Sequence, residues 1–490
     1  MTEKIYVEKY NDAYIKAFCD SGVAYELSEF FTFVVPGAQF MPQVRNKFWD
    51  GKIRLYNPAT MLLYGGLIPY IRKFAYERGY EVDVDDELLD SSYSIKEAHD
   101  YCTAASTLEP RDYQVEAFAH AMRSRRALLL SPTASGKSLI IYFIARKMIE
   151  EGHKILTIVP TTSLVYQMRS DFESYGYQNN IRIIDGTQDK TWRTDIPETI
   201  VISTWQSIYK MPKPWFNQFK CVLGDEAHNF KSKSLTSIMT KLENCPYRFG
   251  FTGTLDGTQT HKLVLEGLFG TVKKVTTSKE LMDEGTIAEL KIKCIQLAHP
   301  QESCKLLKKA DYRTEIDHII GYEPRNKFIE NLSLSLKGNT LILYQLVEKH
   351  GKVLYNNIVS EIKDGLFQDR KVFFVSGEIN AQVREDIRKV VETETDAIIV
   401  ASYGTFSTGI NIRNLNNIIF ASPSKSKIRV LQSIGRGLRK SDTKESCTLF
   451  DIADDLSWGA KRNYTLQHFT ERVKYYNDEK FDYKIYQVKL

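Results

Sequence analysis

The sequence predicts an α/β chain of two tandem open parallel sheets, preceded by a small α+β domain. Three observations carry that expectation. Two long segments each alternate short, β-branched apolar runs with helical stretches, the pattern of strand–helix–strand crossovers. Residues 1–100 break from this pattern, being rich in aromatics, with the turn-prone Phe48-Trp49-Asp50-Gly51 and an acidic run over 81–90. A chain of 490 residues also has room for several domains at about 150 residues each.

In the first alternating segment, runs 127–130, 155–159, 199–202, 221–223 and 248–251 read as strands buried on both faces. The second repeats the pattern at 341–344, 372–375, 397–400, 417–420 and 448–452. The expected domains are 1–100, 101–285 and 286–490, with the second junction near 275–300, where no strand–helix pair is evident. Residues 464–490, rich in Tyr, Lys and Phe, are expected to pack against the second sheet.

Composition excludes several classes. Hydrophobic residues at 43% and charged residues at 26% are ordinary for a globular chain, so wholesale disorder is not expected. The longest uncharged stretch, 55–71, contains two prolines, an asparagine and a Gly-Gly pair and makes a poor spanning helix. With Glu3, Lys4, Glu8 and Lys9 where a signal peptide needs an apolar run, the expected location is cytoplasmic, with no membrane partner. Seven cysteines with no zinc or disulfide spacing read as free thiols. The net charge of +5 is uneven, because residues 1–100 hold 11 Lys+Arg against 16 Asp+Glu. The remainder is therefore basic, which suits an anionic partner without proving one.

Ligands of open parallel sheets gather at the carboxyl ends of strands. After the first strand comes Ser131-Pro132-Thr133-Ala134-Ser135-Gly136-Lys137-Ser138, then a helical run. Small residues let backbone N–H groups face a polyphosphate, the helix start adds a positive dipole end, and Lys137 adds a cation. Ser138 is placed to ligate magnesium. Ser131 stands where the usual phosphate loop has glycine. A second strand end carries Asp225-Glu226-Ala227-His228, where an aspartate can hold Mg2+ and an adjacent glutamate can orient and deprotonate water. An acidic pair by itself is more often a solvated turn; its place after an apolar strand, downstream of the phosphate loop, reverses the odds.

Together these motifs resemble those of superfamily-two helicases of DEAH type, over roughly 108–455. The resemblance implies two RecA-like domains with ATP between them, and ATP and Mg2+ as cofactors. Arg111 and Gln114, in Arg111-Asp112-Tyr113-Gln114, resemble the adenine-reading segment. Phe251-Thr252-Gly253-Thr254 stands at the third motif, with Gly253 replacing the usual alanine. Gln432-Ser433-Ile434-Gly435-Arg436-Gly437-Leu438-Arg439 matches the sixth, implying that Gln432, Arg436 and Arg439 are catalytic alongside Lys137, Asp225 and Glu226. The two arginines, three apart, are expected on one helical face. Ser402-Tyr403-Gly404-Thr405-Phe406-Ser407-Thr408-Gly409-Ile410-Asn411 resembles the fifth motif, implying a nucleotide contact at Gly409 and a nucleic-acid contact at Ser402. Asn411 stands where the family often has aspartate.

For nucleic acid, Pro160 and Thr161 resemble the first backbone-binding motif, and Ser203, Thr204 and Trp205 the next. Helix capping by Thr161 and Ser203 is the structural alternative. Lys425, Lys427 and Arg429 extend the basic track. In the amino-terminal domain Arg45, Lys47, Phe48, Trp49, Lys52, Arg54 and Tyr56 interleave cations with aromatics, either as a nucleic-acid surface or as a hairpin with Trp49 packed inward. The combination resembles bacteriophage branch-migrating DNA helicases of recombination, replication and repair. It implies a monomer acting on branched or single-stranded DNA, including RNA in hybrids. Two rivals stay open: an RNA helicase or double-strand translocase, since no residue here reads a 2′-hydroxyl, and a non-catalytic nucleic-acid clamp.

Overall fold

The computed structural model describes the chain except residues 1–2, 188–192, 195, 366–368, 380, 406–411 and 441–443, with backbone alone at 260, 364, 381, 382 and 385. It divides into two compact units, residues 1–131 with 136–276, and residues 277–490 with 132–135.

The first unit opens with β1 (Lys4–Lys9), β2 (Tyr14–Phe18), β3 (Thr32–Val34), β4 (Lys52–Arg54), β5 (Leu62–Tyr64) and β6 (Glu81–Val84). Four of them form a mixed sheet in the order β5-β2-β1-β6, and β3 pairs with β4 as a separate antiparallel ribbon. The acidic run over 81–90 begins as the strand β6. Its alternation of Glu81 and Asp83 outward with the more buried Val82 and Val84 is that of a strand with one face on a core. Trp49 does not pack inward as a core residue. It is half-buried, its indole N–H donating to the Lys52 carbonyl at 2.9 Å, and the neighbouring Phe48 is 85% exposed.

This small sheet is docked on the larger one rather than tethered to it. Tyr70 donates to the Glu266 carboxylate at 2.6 Å, and the Asp12 N–H reaches the Glu243 carbonyl at 2.9 Å. At Gly66 a Cβ would come within 1.9 Å of the Glu266 carbonyl, so only glycine permits that approach.

The larger sheet comprises β7 (Arg126–Leu130), β8 (Ile155–Val159), β9 (Ile181–Ile184), β10 (Ile200–Thr204), β11 (Cys221–Asp225), β12 (Tyr247–Thr252) and β13 (Val272–Lys274). Its order is β13-β7-β12-β11-β8-β10-β9, with every pairing parallel. Side chains alternate between two cores, Ala127 and Leu129 on one face and Leu128 on the other. Covered on both faces, such strands need unbroken apolar runs, and all five residues of β8 are buried. Each fully buried Leu or Ile side chain there contributes about 1.5–3 kcal/mol.

The second unit carries β14 (Glu289–Ala298), β15 (Thr340–Tyr344), β16 (Val372–Val375), β17 (Ile398–Ser402), β18 (Asn417–Phe420), β19 (Ser446–Asp455) and β20 (Tyr483–Lys489). They form a second all-parallel sheet, β16-β17-β15-β18-β19-β14-β20. The interval 275–300, expected to lack a strand–helix pair, holds the helix Ser278–Asp283 and the ten-residue β14. The carboxyl end does pack on this sheet. Arg472, on the helix Tyr464–Asp478, holds Asp451 of β19 through Nε at 3.0 and 2.9 Å, and Tyr476 donates to the same carboxylate at 2.8 Å. Being fully buried, that pair needs the hydrogen bonds it has; removing one partner would strand a charge. All seven cysteines are free and six are buried. No described helix is long and apolar enough to cross a membrane.

Candidate functional site

Three neighbouring strands of the first sheet bring the sequence-predicted nucleotide residues together. Leu130 of β7 lies opposite Thr252 of β12, and Phe251 of β12 opposite Asp225 of β11, so three loops leave the sheet side by side at its carboxyl edge. The phosphate loop is tied to β12 by the Ser131 N–H, which donates to the Thr252 carbonyl at 2.9 Å, and Ser131 itself is fully buried. Ser135 Oγ donates to the Pro132 carbonyl at 2.7 Å. Ala134 (φ +68°) and Gly136 (φ +78°) are left-handed. Alternating backbone hand turns successive N–H groups toward one side and makes an anion-binding concavity. A left-handed alanine costs about 1 kcal/mol, and such strain persists where a site requires it. The helix Lys137–Glu150 starts at once, adding its positive dipole end.

Lys137 and the acidic pair converge here. The Lys137 ammonium is 3.9 Å from a Glu226 carboxylate oxygen. Glu226 is left-handed (φ +49°), and its N–H donates to the Asp225 carboxylate at 2.9 Å. Burial holds the Asp225 carboxyl above its ordinary range against the pull of Lys137, with the Glu226 charge pushing the same way as burial. Ser138 Oγ is 2.7 Å from the Tyr175 hydroxyl. The donor set fits magnesium, a hard cation bound through one or two carboxylates, with water and substrate phosphates completing its shell. Asp225 and Ser138 supply oxygens of that kind, and the described residues contain no cluster of three or more His, Cys, Asp or Glu side chains that would cage a metal without a substrate.

Gln114 is 2% exposed; its Oε1 accepts from the Arg111 N–H at 3.0 Å and its Nε2 donates to the Gly136 carbonyl at 3.4 Å. The amide expected to read adenine thus also braces the phosphate loop. Arg111 is exposed, its guanidinium donating to the Tyr113 hydroxyl at 2.8 Å.

In the second unit Gln432 and Arg436 share the helix Lys427–Gly437, one turn apart. Arg439 does not lie on that helical face, because the helix ends at Gly437 and Arg439 follows the cap residue Leu438. What holds that exit is Lys444, which sequence reasoning missed. Its ammonium, 2% exposed, donates to the carbonyls of Gly437, of Arg439 at 3.0 Å and of Arg413 at 3.2 Å. Gly409 and Asn411 lie outside the described residues.

The expected nucleic-acid residues separate into two groups. Thr161 caps the helix Thr162–Ser174, accepting from the Leu164 N–H at 3.4 Å, with Pro160 partly exposed beside it. Trp205 is half-buried at the start of a short helix. Ser203 is fully buried and donates to the Ile184 carbonyl at 2.8 Å; Thr204 is 4% exposed and bonded to Ser207 Oγ at 2.8 Å. Ser402, 8% exposed, pairs with Thr405 Oγ1 at 2.8 Å. These three hydroxyls sit at the ends of strands, where Ser203 bonds to the neighbouring β9 and the other two to the segments that follow their own strands.

Two further features escaped the sequence. His228 Nδ1 is 3.0 Å from Thr252 Oγ1 and 3.3 Å from Glu226, linking the acidic loop to the end of β12. Asp256 is held by Lys231 and by His261 Nδ1 at 2.6 Å. Burial alone would raise its pKa, yet those partners bring it down to about 2.

Three family models match this chain. The amino-terminal domain of UvsW DNA helicases matches residues 4–85, the type III restriction enzyme res subunit matches 107–257, and the conserved helicase carboxyl-terminal domain matches 324–441. The ATP-dependent DNA helicase uvsW of Enterobacteria phage T4 is 36% identical over 512 residues, covering 99% of this chain and 100% of the relative. The crystal structure of T4 UvsW superposes with a TM-score of 0.53 at 34% identity, covering 99% of both chains. The DNA 3′-5′ translocase XPB2 of Sulfurisphaera tokodaii is 24% identical over 80% of this chain and 90% of its own.

Proposed function

The chain belongs to the UvsW family of superfamily-two DNA helicases, and from that premise we propose how its residues divide the work of an ATP-dependent helicase that remodels branched DNA intermediates of recombination, replication and repair. The observation that carries the reading is the approach of Lys137, after β7, to Glu226 beside Asp225, at the end of β11, with β12 between the two strands.

The phosphate-loop N–H groups from Ser131 to Ser138, with Lys137, cradle the β- and γ-phosphates of ATP, and Arg111 and Gln114 take the adenine side. Asp225 and Ser138 would hold Mg2+, which would supply positive charge against the phosphate oxygens. In the structure Lys137 neutralises Glu226; a triphosphate competes for that ammonium and leaves Glu226 to orient a water and accept its proton. Arg436 and Arg439 stabilise the charge that develops on the transferred phosphoryl group, and Gln432 positions that segment. Gly409 contacts the nucleotide, as the family motif implies.

Pro160, Thr161 and Trp205 hold the DNA backbone, while Ser203, Thr204 and Ser402 shape the loops that present it. The ribbon β3–β4 adds a second surface. Phe40 and Phe48, in the connection between its two strands, are 75% and 85% exposed, and the same stretch of sequence carries Arg45, Lys47 and Lys52, a composition suited to bases and phosphates together. The chain works as a monomer in the cytoplasm and accepts RNA within a hybrid. ATP turnover measured with a four-way junction, linear duplex and single-stranded RNA tests the reading. The junction should stimulate most; maximal stimulation by RNA alone would replace it with the RNA-helicase rival.

A further inference from the structure

The second unit holds a cavity of about 350 Å³ lined by none of the residues assigned above to ATP. It opens at the carboxyl edge of the second sheet, where β15 and β18 lie side by side and the Gln345 N–H donates to Ser422 Oγ at 3.1 Å. Its aromatic wall comes from two helix starts. Tyr312 opens the helix Tyr312–Gly321, Tyr464 opens Tyr464–Asp478, and their rings meet at 82° with centroids 6.1 Å apart. His468, one turn beyond Tyr464, lies 5.3 Å from Tyr312. Each tyrosine is 40% exposed, so ring surface faces solvent at the mouth.

The polar wall is cationic. Lys425 and Arg429 line it, no Asp or Glu does, and neither cation is paired with a carboxylate among the described residues. His468 Nδ1 is buried without a hydrogen-bond partner, and the Gln345 side chain is exposed beside it. Apolar rings at right angles, cations without counter-charge and an exposed amide make a set that one ligand chemistry satisfies throughout. A base stacks on an aromatic face, its edge takes hydrogen bonds, and the phosphate beside it takes the cations. The volume lies near the lower end of small-ligand sites, roughly 300–1,000 Å³.

We propose that this cavity seats one nucleotide of a DNA single strand, its base stacked against Tyr312 or Tyr464 and its phosphate at Lys425 and Arg429. The second sheet would then grip a base as well as backbone, giving the motor a foothold that a fully paired duplex cannot enter. The proposal rests on the helicase reading above.

The test measures full-length wild type, Tyr312→Ala/Tyr464→Ala and Tyr312→Phe/Tyr464→Phe binding to an oligothymidylate and to an abasic strand of equal length. Stacking predicts that the double-alanine chain loses about tenfold in affinity for the oligothymidylate and almost nothing for the abasic strand. The double-phenylalanine chain should regain most of it, and ATP turnover without DNA should be the same in all three. Retention of wild-type preference for the base-bearing strand by the double-alanine chain would overturn the proposal. So would equal losses on both strands accompanied by a lower unfolding midpoint, the signature of a purely structural role. Failure of the helicase reading reads differently, as wild-type turnover that no DNA stimulates.

Discussion

Gly136→Ala probes the phosphate loop at its tightest point. Gly136 sits at φ +78°, where an L side chain costs about 1–2 kcal/mol. The added Cβ would lie 2.5 Å from Gln114 Nε2, an impossible approach, so the amide must move. Gln114 has little freedom, being 2% exposed and bonded to both the Arg111 N–H and the Gly136 carbonyl. Displacing a buried amide from its partners costs about 1–3 kcal/mol more. The expected total is therefore about 2–5 kcal/mol of lost stability or, if the loop relaxes instead, a loop whose N–H groups no longer converge. Urea denaturation should show a lower midpoint, fluorescent ADP should bind at least tenfold more weakly, and DNA affinity without nucleotide should hold. An unchanged midpoint together with unchanged ADP affinity would refute the reasoning.

Arg439→Ala should leave nucleotide affinity nearly intact while slowing single-turnover hydrolysis by about 10³, the scale of an arginine finger; an unchanged single-turnover rate would remove Arg439 from that role. Lys444→Met leaves three carbonyls without their buried ammonium, so the thermal midpoint should drop by an amount corresponding to about 2–4 kcal/mol, and hydrolysis should suffer more than nucleotide binding. Asp256 carries a carboxyl depressed to about 2, so it contributes about 2 kcal/mol that is present above its unfolded pKa and lost as pH falls from about 4 through 2. Asp256→Asn should be less stable than wild type at neutral pH, with the gap closing below pH 3; a gap independent of pH would show that the ion network contributes nothing.

Strands buried on both faces were legible because burial demands an unbroken apolar run. The bounds expected at 155–159 and 417–420 are those observed for the fully buried β8 and β18, and those at 372–375 for β16, a partly buried edge strand. β14 was not, since Glu289, Lys291 and Lys293 interrupt its apolar residues and mixed charge hides the strand; its partner β20, mostly exposed at the sheet edge, is equally disguised. The residues proposed for the nucleotide stood out because phosphate chemistry calls for one short loop and one acidic pair after strands. Arg439 misled because spacing in a sequence assumes that a helix continues, and this one stops at Gly437. Ser203 and Ser402 show a second limit: a hydroxyl at a strand end can face a phosphate or bond within the fold, and the choice is made by neighbours such as Ile184 and Thr405. Lys444 and the Asp256 network have no local signature, because their partners lie 5 to 31 residues away and only folding brings them together.

The most direct measurement pairs ATP turnover with DNA affinity in one preparation, wild type beside Lys137→Ala, on a four-way junction. An engine driven by phosphate capture predicts junction-stimulated turnover in the wild type, none in the variant, and DNA binding within a few-fold of each other. Turnover at the wild-type rate without the Lys137 ammonium would contradict it.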